Sequence, residues 1–457
     1  MLDDVLSTVA ARHDASLSAL KEWLAIPSVS AQPDHKADMM RAAQWLADQL
    51  KFAELETSIM PTPGHPIVVA KNKHVPGRPT VLFYGHYDVQ PAEPLELWET
   101  PAFEPTVRDG KLFARGASDD KGQVWCHVAA IQAWQAHGGV PVNLTVLVEG
   151  EEEVASANLE GFLRSYAEDL RADVALISDT GMFDADTPAI TTGLRGLMYA
   201  EVTVQGAKSD LHSGLYGGAV PNPCNVLCQL LGSLKDADNR VTIPGFYDDV
   251  QEPAADELAA WSKLDRSDEA LANELGLKKL DGEAGRSTLE RLWSRPTCDV
   301  NGILGGYTGE GAKTVLPSKA MGKVSFRLVP AQDPKKIQAA FEQQLRAQAP
   351  DSVELSFRYF GAEPAALTPA DSPAMTLARQ AVEIGFGKEP ALICGGGSIP
   401  VVGLLKQQLG LDTLLVGFGL GDDNLHAPNE KFDLVQLQNG TATAAALYGK
   451  LADLPMK

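Results

Sequence analysis

The chain has 457 residues, 44% hydrophobic and 22% charged, and 39 Lys and Arg against 60 Asp and Glu give a net charge of −21. That length exceeds what one simple core sustains and points to two domains. The acidity speaks against nucleic acid, whose phosphates need Lys and Arg to neutralise them, and against an anionic membrane surface.

The first thirty residues, MLDDVLSTVAARHDASLSALKEWLAIPSVS, carry acidic side chains early and no basic segment ahead of an apolar core. They read as an amphipathic helix of the mature protein and not as a signal peptide. No apolar run approaches the ~18–20 residues that a membrane helix needs. From about residue 80 to 180, the apolar strands TVLFYG, NLTVLVE and DVALISD alternate with helical patterns such as QVWCHVAAIQAWQAH, which predicts a parallel α/β sheet. Near Gly193 the character changes: LMYAEVTVQG and GKVSFRLVP alternate with period two, as in an antiparallel sheet with one wet face. A helix from Asp333 to Ala347 and the strand SVELSFRYF follow, and around Ala391 the first character returns with LDTLLVGFG and a closing helix. The predicted architecture is an α/β domain with a mainly parallel sheet flanked by helices, split into 1–192 and 371–457, with an α+β domain inserted at 193–370. Five scattered cysteines (Cys126, Cys224, Cys228, Cys298, Cys394) suit reduced thiols in a cytoplasm. Cys224 and Cys228, spaced i, i+4 on a predicted helix with no further thiol or His nearby, are expected to be buried core thiols and not a metal site.

Ligands in open α/β sheets gather outside the carboxyl ends of the strands, and acidic and imidazole groups accumulate there. The first strand ends on His86, with Asp88 two positions on, so that the two side chains face the same way. A carboxylate in that position can hold the second ring nitrogen of a metal-ligating histidine, although the pair equally suits a plain polar strand end. SDDKG supplies Asp119 and Asp120, EGEEE supplies Glu149 and Glu151 to Glu153, Asp179 ends a further strand, and LGDDNLHAPNE supplies Asp422, Asp423 and His426. Any one cluster could be a helix cap or a turn. Five on one sheet edge, without cations, would raise one another's pKa values and oppose folding. Bound metal resolves this, and the mixed nitrogen and oxygen set suits Zn²⁺, with Mn²⁺ or Co²⁺ as alternatives. A bridging carboxylate would make it a two-metal site.

GHYDVQP, SDDKG, EGEEE, ISD and DDNLHAPNEK, in this order and spacing, resemble the dinuclear zinc peptidases and deacylases, the family of carboxypeptidase G, aminoacylase, acetylornithine deacetylase, succinyl-diaminopimelate desuccinylase and carnosinase. SDLHSGLYGG, KTVLPSKA and GGGSIPVV are most similar to the branch of cytosolic nonspecific dipeptidases and carnosinases. The resemblance covers nearly the whole chain. It implies that the split domain is catalytic and that the inserted domain is a lid through which two subunits form a homodimer. It implies that His86 and Asp179 hold one ion, Glu153 and His426 the other, that Asp119 bridges them, that Asp88 orients His86, and that the peptide after Asp119 is cis. In the pattern Glu-Gly-x-Glu-Glu, Glu152 becomes the general base and Glu153 the ligand; Val154-Ala155-Ser156 departs from the family where a Gly before the Ser is common, and a slip of one residue would exchange the two roles.

The resemblance also makes His212 a lid donor to the oxyanion in the partner subunit's active site, and Thr314 a substrate contact. Arg327 lies on the polar face of KVSFRLV, where a guanidinium fork can bind a carboxylate. Gly396, Gly397 and Ser398 precede a helical segment and could receive the same carboxylate. No ligand pattern surrounds His13, His35, His65, His74, His127 or His137, which together with Asp120 are assigned to surface, core or supporting positions. The expected activity is hydrolysis of dipeptides bearing a free C-terminal carboxylate, by a metal-bridged hydroxide with Glu152 as base. An N-acyl-amino-acid deacylase of the aminoacylase or desuccinylase type is the alternative.

Overall fold

The computed structural model describes residues 1–397 and 399–455. The chain divides into two compact units: one comprises Met1–Thr192, Thr368–Ile393 and the chain from Pro400 onward, the other Gly193–Leu367 with the short segment that begins at Cys394.

The first unit is built on a sheet whose strands run in the order Glu56–Met60, Ile67–Lys71, Asn143–Glu149, Thr80–His86, Val174–Ile177, Thr413–Leu415 and Ala189–Leu194. The four strands from Asn143–Glu149 to Thr413–Leu415 pair in parallel, and the flanking pairings are antiparallel. Thr80–His86 is apolar without alternation because both of its faces are covered. Gly85 lets that strand end against the helix Lys121–Gln135, since a Cβ there would lie 2.4 Å from Val124 Cγ2 and 2.8 Å from Asp120 Oδ2. The helices Lys121–Gln135, Pro373–Phe386 and Leu434–Leu451 supply much of the surrounding core. The N-terminal segment forms two helices where the sequence predicted one, Leu2–Ala11 and His13–Leu24, because Arg12 leaves helical geometry at φ −97° and ψ 4°. Each half then turns its own apolar set inward, Val5 and Val9 in the first and Leu20, Trp23 and Leu24 in the second.

The second unit holds a four-stranded antiparallel sheet in the order Thr297–Gly305, Lys319–Leu328, Gly196–Gln205 and Glu354–Glu363. Period-two alternation shows directly in Gly196–Gln205, where Met198, Ala200, Val202 and Val204 are buried and their neighbours half-exposed. The buried face carries the helices Pro223–Gly232 and Pro334–Gln348. Cys224 is half-buried and Cys228 exposed, contrary to the expected core placement: Pro223–Gly232 buries Val226, Leu227, Leu230 and Leu231, which leaves the i, i+4 cysteines on its flank.

Candidate metal centre

Six donor positions from five residues converge at one edge of the first unit. His86, Asp119 and Asp179 form one group and Asp119, Glu153 and His426 another, with the donor atoms of each group within 4.8 Å of one another. Asp119 serves both: its Oδ1 lies 3.2 Å from His86 Nε2, and its Oδ2 lies 3.0 Å from His426 Nε2. Asp179 Oδ2 is 3.9 Å from His86 Nε2, and Glu153 Oε2 is 3.4 Å from His426 Nε2. His86 Nε2 is buried without a hydrogen bond among the described residues, as a metal-facing nitrogen would be.

The local chain explains how these groups are held. His86 ends its strand and its backbone N–H donates to Asp120 Oδ2 at 3.1 Å, which gives Asp120 a supporting place. Its ring Nδ1 is 3.1 Å from the backbone carbonyl of Asp88 and 3.4 Å from the carboxylate. The Asp88 carboxylate accepts the N–H groups of Glu152 and Glu153 at 3.2 and 3.1 Å and the Ser30 hydroxyl at 2.7 Å. Glu151 turns away from the donors, accepting from His65 N–H and from the Asn158 amide. Glu149 is likewise occupied by Tyr84 and Ser156. Glu153 therefore stands among the donors, with Gln90 donating to its Oε2 at 2.7 Å, and Glu152 precedes it on the same short turn. The Asp119–Asp120 peptide is cis. Asp179 follows Ser178, whose hydroxyl bridges His127 and the Val416 carbonyl. Asp422 and Asp423 are absent from both donor groups because Lys431 engages them, together with Asp433.

The electrostatics are those of crowded, buried carboxylates. Burial, reinforced by Asp119, pushes Glu153 up to about 8 and Asp179 up to about 7. Burial also raises Glu152. Asp119 goes the other way, because the imidazoles of His426 and His86 outweigh the effect of burial and hold it well below the usual range. His426 is raised to about 9, chiefly by Asp119. Burial opposes charge on His86, yet Asp119 and Asp88 outweigh it and raise the imidazole. Two imidazoles with three carboxylates fit Zn²⁺, Mn²⁺ or Co²⁺.

The remaining predicted residues lie in the second unit. His212 and Thr314 are neighbours: His212 pairs with Val315 across a two-stranded ribbon, and Ser213 N–H donates to the Thr314 carbonyl at 3.0 Å. His212 is exposed, and its Nδ1 accepts from Gly214 N–H at 2.9 Å. Arg327 and Ser325 line a 610 Å³ cavity with Arg195 and Asn301, while Val324, Phe326 and Leu328 are buried on the opposite face. The Gly396 carbonyl accepts from Arg195 Nε at 3.1 Å, and Gly397 is open to substitution by space alone. Ser398 lies outside the described residues. Gln90, Ser30, Arg195 and Glu430 touch these groups and were not singled out from sequence; for Gln90 a signal existed, since it extends the His86, Asp88 alternation by two.

A sequence profile of peptidase family M20/M25/M40 matches residues 82–450. The Cys-Gly metallodipeptidase dug1 of Schizosaccharomyces pombe is 32% identical over 472 aligned positions, covering 99% of each chain. The beta-Ala-His dipeptidase of Homo sapiens is 30% identical over 99% of this chain and 93% of its own. Among solved structures, human carnosine dipeptidase 1 matches with a TM-score of 0.83 at 30% identity, covering 99% of each chain. The M20 metallo-carboxypeptidase Sso-CP2 of Sulfolobus solfataricus matches with a TM-score of 0.85 at 33% identity, over 96% of this chain and 99% of its own. A profile match across most of the length, full-length relatives and a double donor group sharing one aspartate agree that the chain belongs to peptidase family M20/M25/M40.

Proposed function

We propose that the protein is a dinuclear metallodipeptidase that hydrolyses the amide bond of dipeptides carrying a free C-terminal carboxylate. The observation that carries this reading is Asp119, one oxygen toward His86 and the other toward His426, with Glu152 on the adjoining turn. His86 and Asp179 would hold one ion and Glu153 and His426 the other, with Asp119 shared. Two divalent ions, Zn²⁺ with Mn²⁺ or Co²⁺ as alternatives, would supply Lewis acidity for lowering the pKa of water and offsetting oxyanion charge. Glu152 takes the proton of the attacking water and returns it to the leaving amine; burial raises its pKa, which favours its holding that proton between the two steps. His212 would serve as the oxyanion donor to the partner subunit's site, Thr314 as a substrate contact, and the Arg327 fork with the Gly396–Gly397 backbone as the receiver of a substrate carboxylate. The named relatives act on Cys-Gly and on beta-Ala-His, both of them dipeptides.

A homodimer through the inserted unit is part of the same reading. Thr297–Gly305 is an edge strand, and Ile303 and Leu304 on it are 61% and 62% exposed, with Val300 and Tyr307 also prominent. Long exposed apolar edges are ordinarily covered. Five scattered cysteines fit a cytoplasmic setting, and among the described residues no helix is long and apolar enough to cross a membrane.

A competition assay read by mass spectrometry tests the substrate class. Zn²⁺- or Mn²⁺-loaded protein is given unmodified dipeptides, their N-acetylated and N-succinylated single-amino-acid counterparts, and longer peptides. Chelator-sensitive cleavage of the dipeptides supports the proposal. Preference for the acylated compounds makes the protein a deacylase, and trimming of the longer peptides makes it a carboxypeptidase like Sso-CP2.

A further inference from the structure

We infer that Glu430 is a positioning residue of the metal centre, which sets the distance between the shared ligand Asp119 and His426; the inference rests on the two-metal reading above. Glu430 is fully buried and lies four residues after His426. Its Oε1 accepts the backbone N–H groups of Ser118 and Asp119 at 3.0 and 3.1 Å. Its Oε2 accepts Gly116 N–H at 2.9 Å and Arg115 Nη1 at 2.8 Å. One carboxylate thereby fixes three peptide groups of the turn that carries Asp119, including Asp119's own.

A second tie lies on the other side of His426. Asp423 Oδ2 accepts the Ser118 hydroxyl at 2.7 Å, and Lys431 Nζ, 2.8 Å from Asp423 Oδ1, holds that carboxylate in place. The loop bearing His426 is stapled to the loop bearing Asp119 both before and after the histidine. His426 itself sits at φ 59°, a left-handed geometry that ordinary residues rarely adopt and that persists only where its surroundings impose it. Arg115, Glu430's buried counter-ion, also donates to the Pro91 carbonyl, just past the segment that holds His86 and Asp88. A buried ion pair is by itself weak evidence for stability. What distinguishes this one is that every backbone N–H it captures through the Glu430 carboxylate belongs to the metal-bearing turn.

Glu430→Gln is the sharp test, because the amide is nearly isosteric yet places an NH₂ where either two N–H donors or Gly116 N–H and Arg115 already point. Zn²⁺ affinity is measured by competition with a chromophoric chelator, alongside the melting temperature of the metal-free protein. Glu283→Gln serves as control, since Glu283 forms a comparably buried pair with Arg295 in the other unit. The expected result is a 10–100-fold loss of Zn²⁺ affinity for Glu430→Gln, the usual cost of removing a group that orients a ligand. Glu430→Asp, which keeps the charge but is one methylene shorter, should lose less, and Glu283→Gln should bind Zn²⁺ like the parent. If Glu430→Gln does not fold, Glu430→Asp is read in its place against the parent. Zn²⁺ affinity within twofold of the parent, with only the melting temperature lowered, makes Glu430 a structural residue and overturns the inference. A parent protein that fails to bind two ions overturns the two-metal reading first, and this inference with it.

Discussion

Glu152 N–H donates to Asp88 Oδ1 at 3.2 Å, and Glu153 N–H donates to the other oxygen at 3.1 Å. The aspartate that the sequence assigned to orienting His86 is thus also the anchor of the acidic turn, while the His86 ring takes its shorter contact, 3.1 Å, with the Asp88 carbonyl. Asp88→Asn keeps that carbonyl but leaves one side of the group without an acceptor. It should reduce metal affinity or kcat/KM by about 10–100-fold, and chelator competition with steady-state assays on a dipeptide checks this. A variant within twofold of the parent in both would mean that the turn holds its shape unaided.

The two glutamates should separate cleanly. Glu152→Ala is expected to lower kcat by about 10²–10⁴-fold, the usual scale of general acid–base catalysis, while elemental analysis still finds two metals per chain. Glu153→Ala should lose metal from the site it shares with His426. The reverse pattern would exchange their roles.

His127 offers a pH dependence away from the metal ligands. It is fully buried, stacked on Phe83 with ring centroids 4.0 Å apart, and bonded to the hydroxyls of Tyr448 and Ser178. Burial lowers its pKa to about 3. In the unfolded chain the ring takes up a proton below its ordinary pKa, whereas the folded chain resists until about 3. The contribution is therefore complete above pH ~6.5 and is lost as pH falls toward the folded value, by up to ~1.4 kcal/mol per pH unit. The melting-temperature advantage of the parent over His127→Phe should shrink steadily from pH 7 to pH 5. A constant difference would mean that the ring takes up its proton equally readily in the folded and unfolded chains.

The exposed edge strand gives a prediction on assembly. Ile303→Lys combined with Leu304→Glu should convert a dimer into a monomer in light scattering, with the melting temperature little changed because neither side chain is buried. If His212 acts across that interface, the monomer should lose at least tenfold in kcat while keeping its metals. A parent that is already monomeric would remove the interface from the account.

The parallel centre of the sheet and the residues at its edge were readable because strands and their ends leave short-range patterns: an apolar run into His86, another ending at Ile177 two residues before Asp179, and period two through Gly196–Gln205. The order of roles within EGEEE needed coordinates, since what turns Glu151 away is a bond from His65, 86 residues earlier. Cys228 was misplaced because i, i+4 spacing fixes a shared helix face but not which face is buried. Glu430 was silent for a stronger reason, as its partners Ser118 and Asp119 lie 312 and 311 residues away, and nothing local distinguishes NEK from an ordinary charged turn.

The most direct test of the two-metal account is anomalous diffraction from crystals of the Zn²⁺-loaded protein, recorded on both sides of the zinc edge. Two peaks about 3.5–4 Å apart, one beside His86 and Asp179 and the other beside Glu153 and His426 with Asp119 between them, are the expected result. A single peak, or two that do not share Asp119, would contradict it.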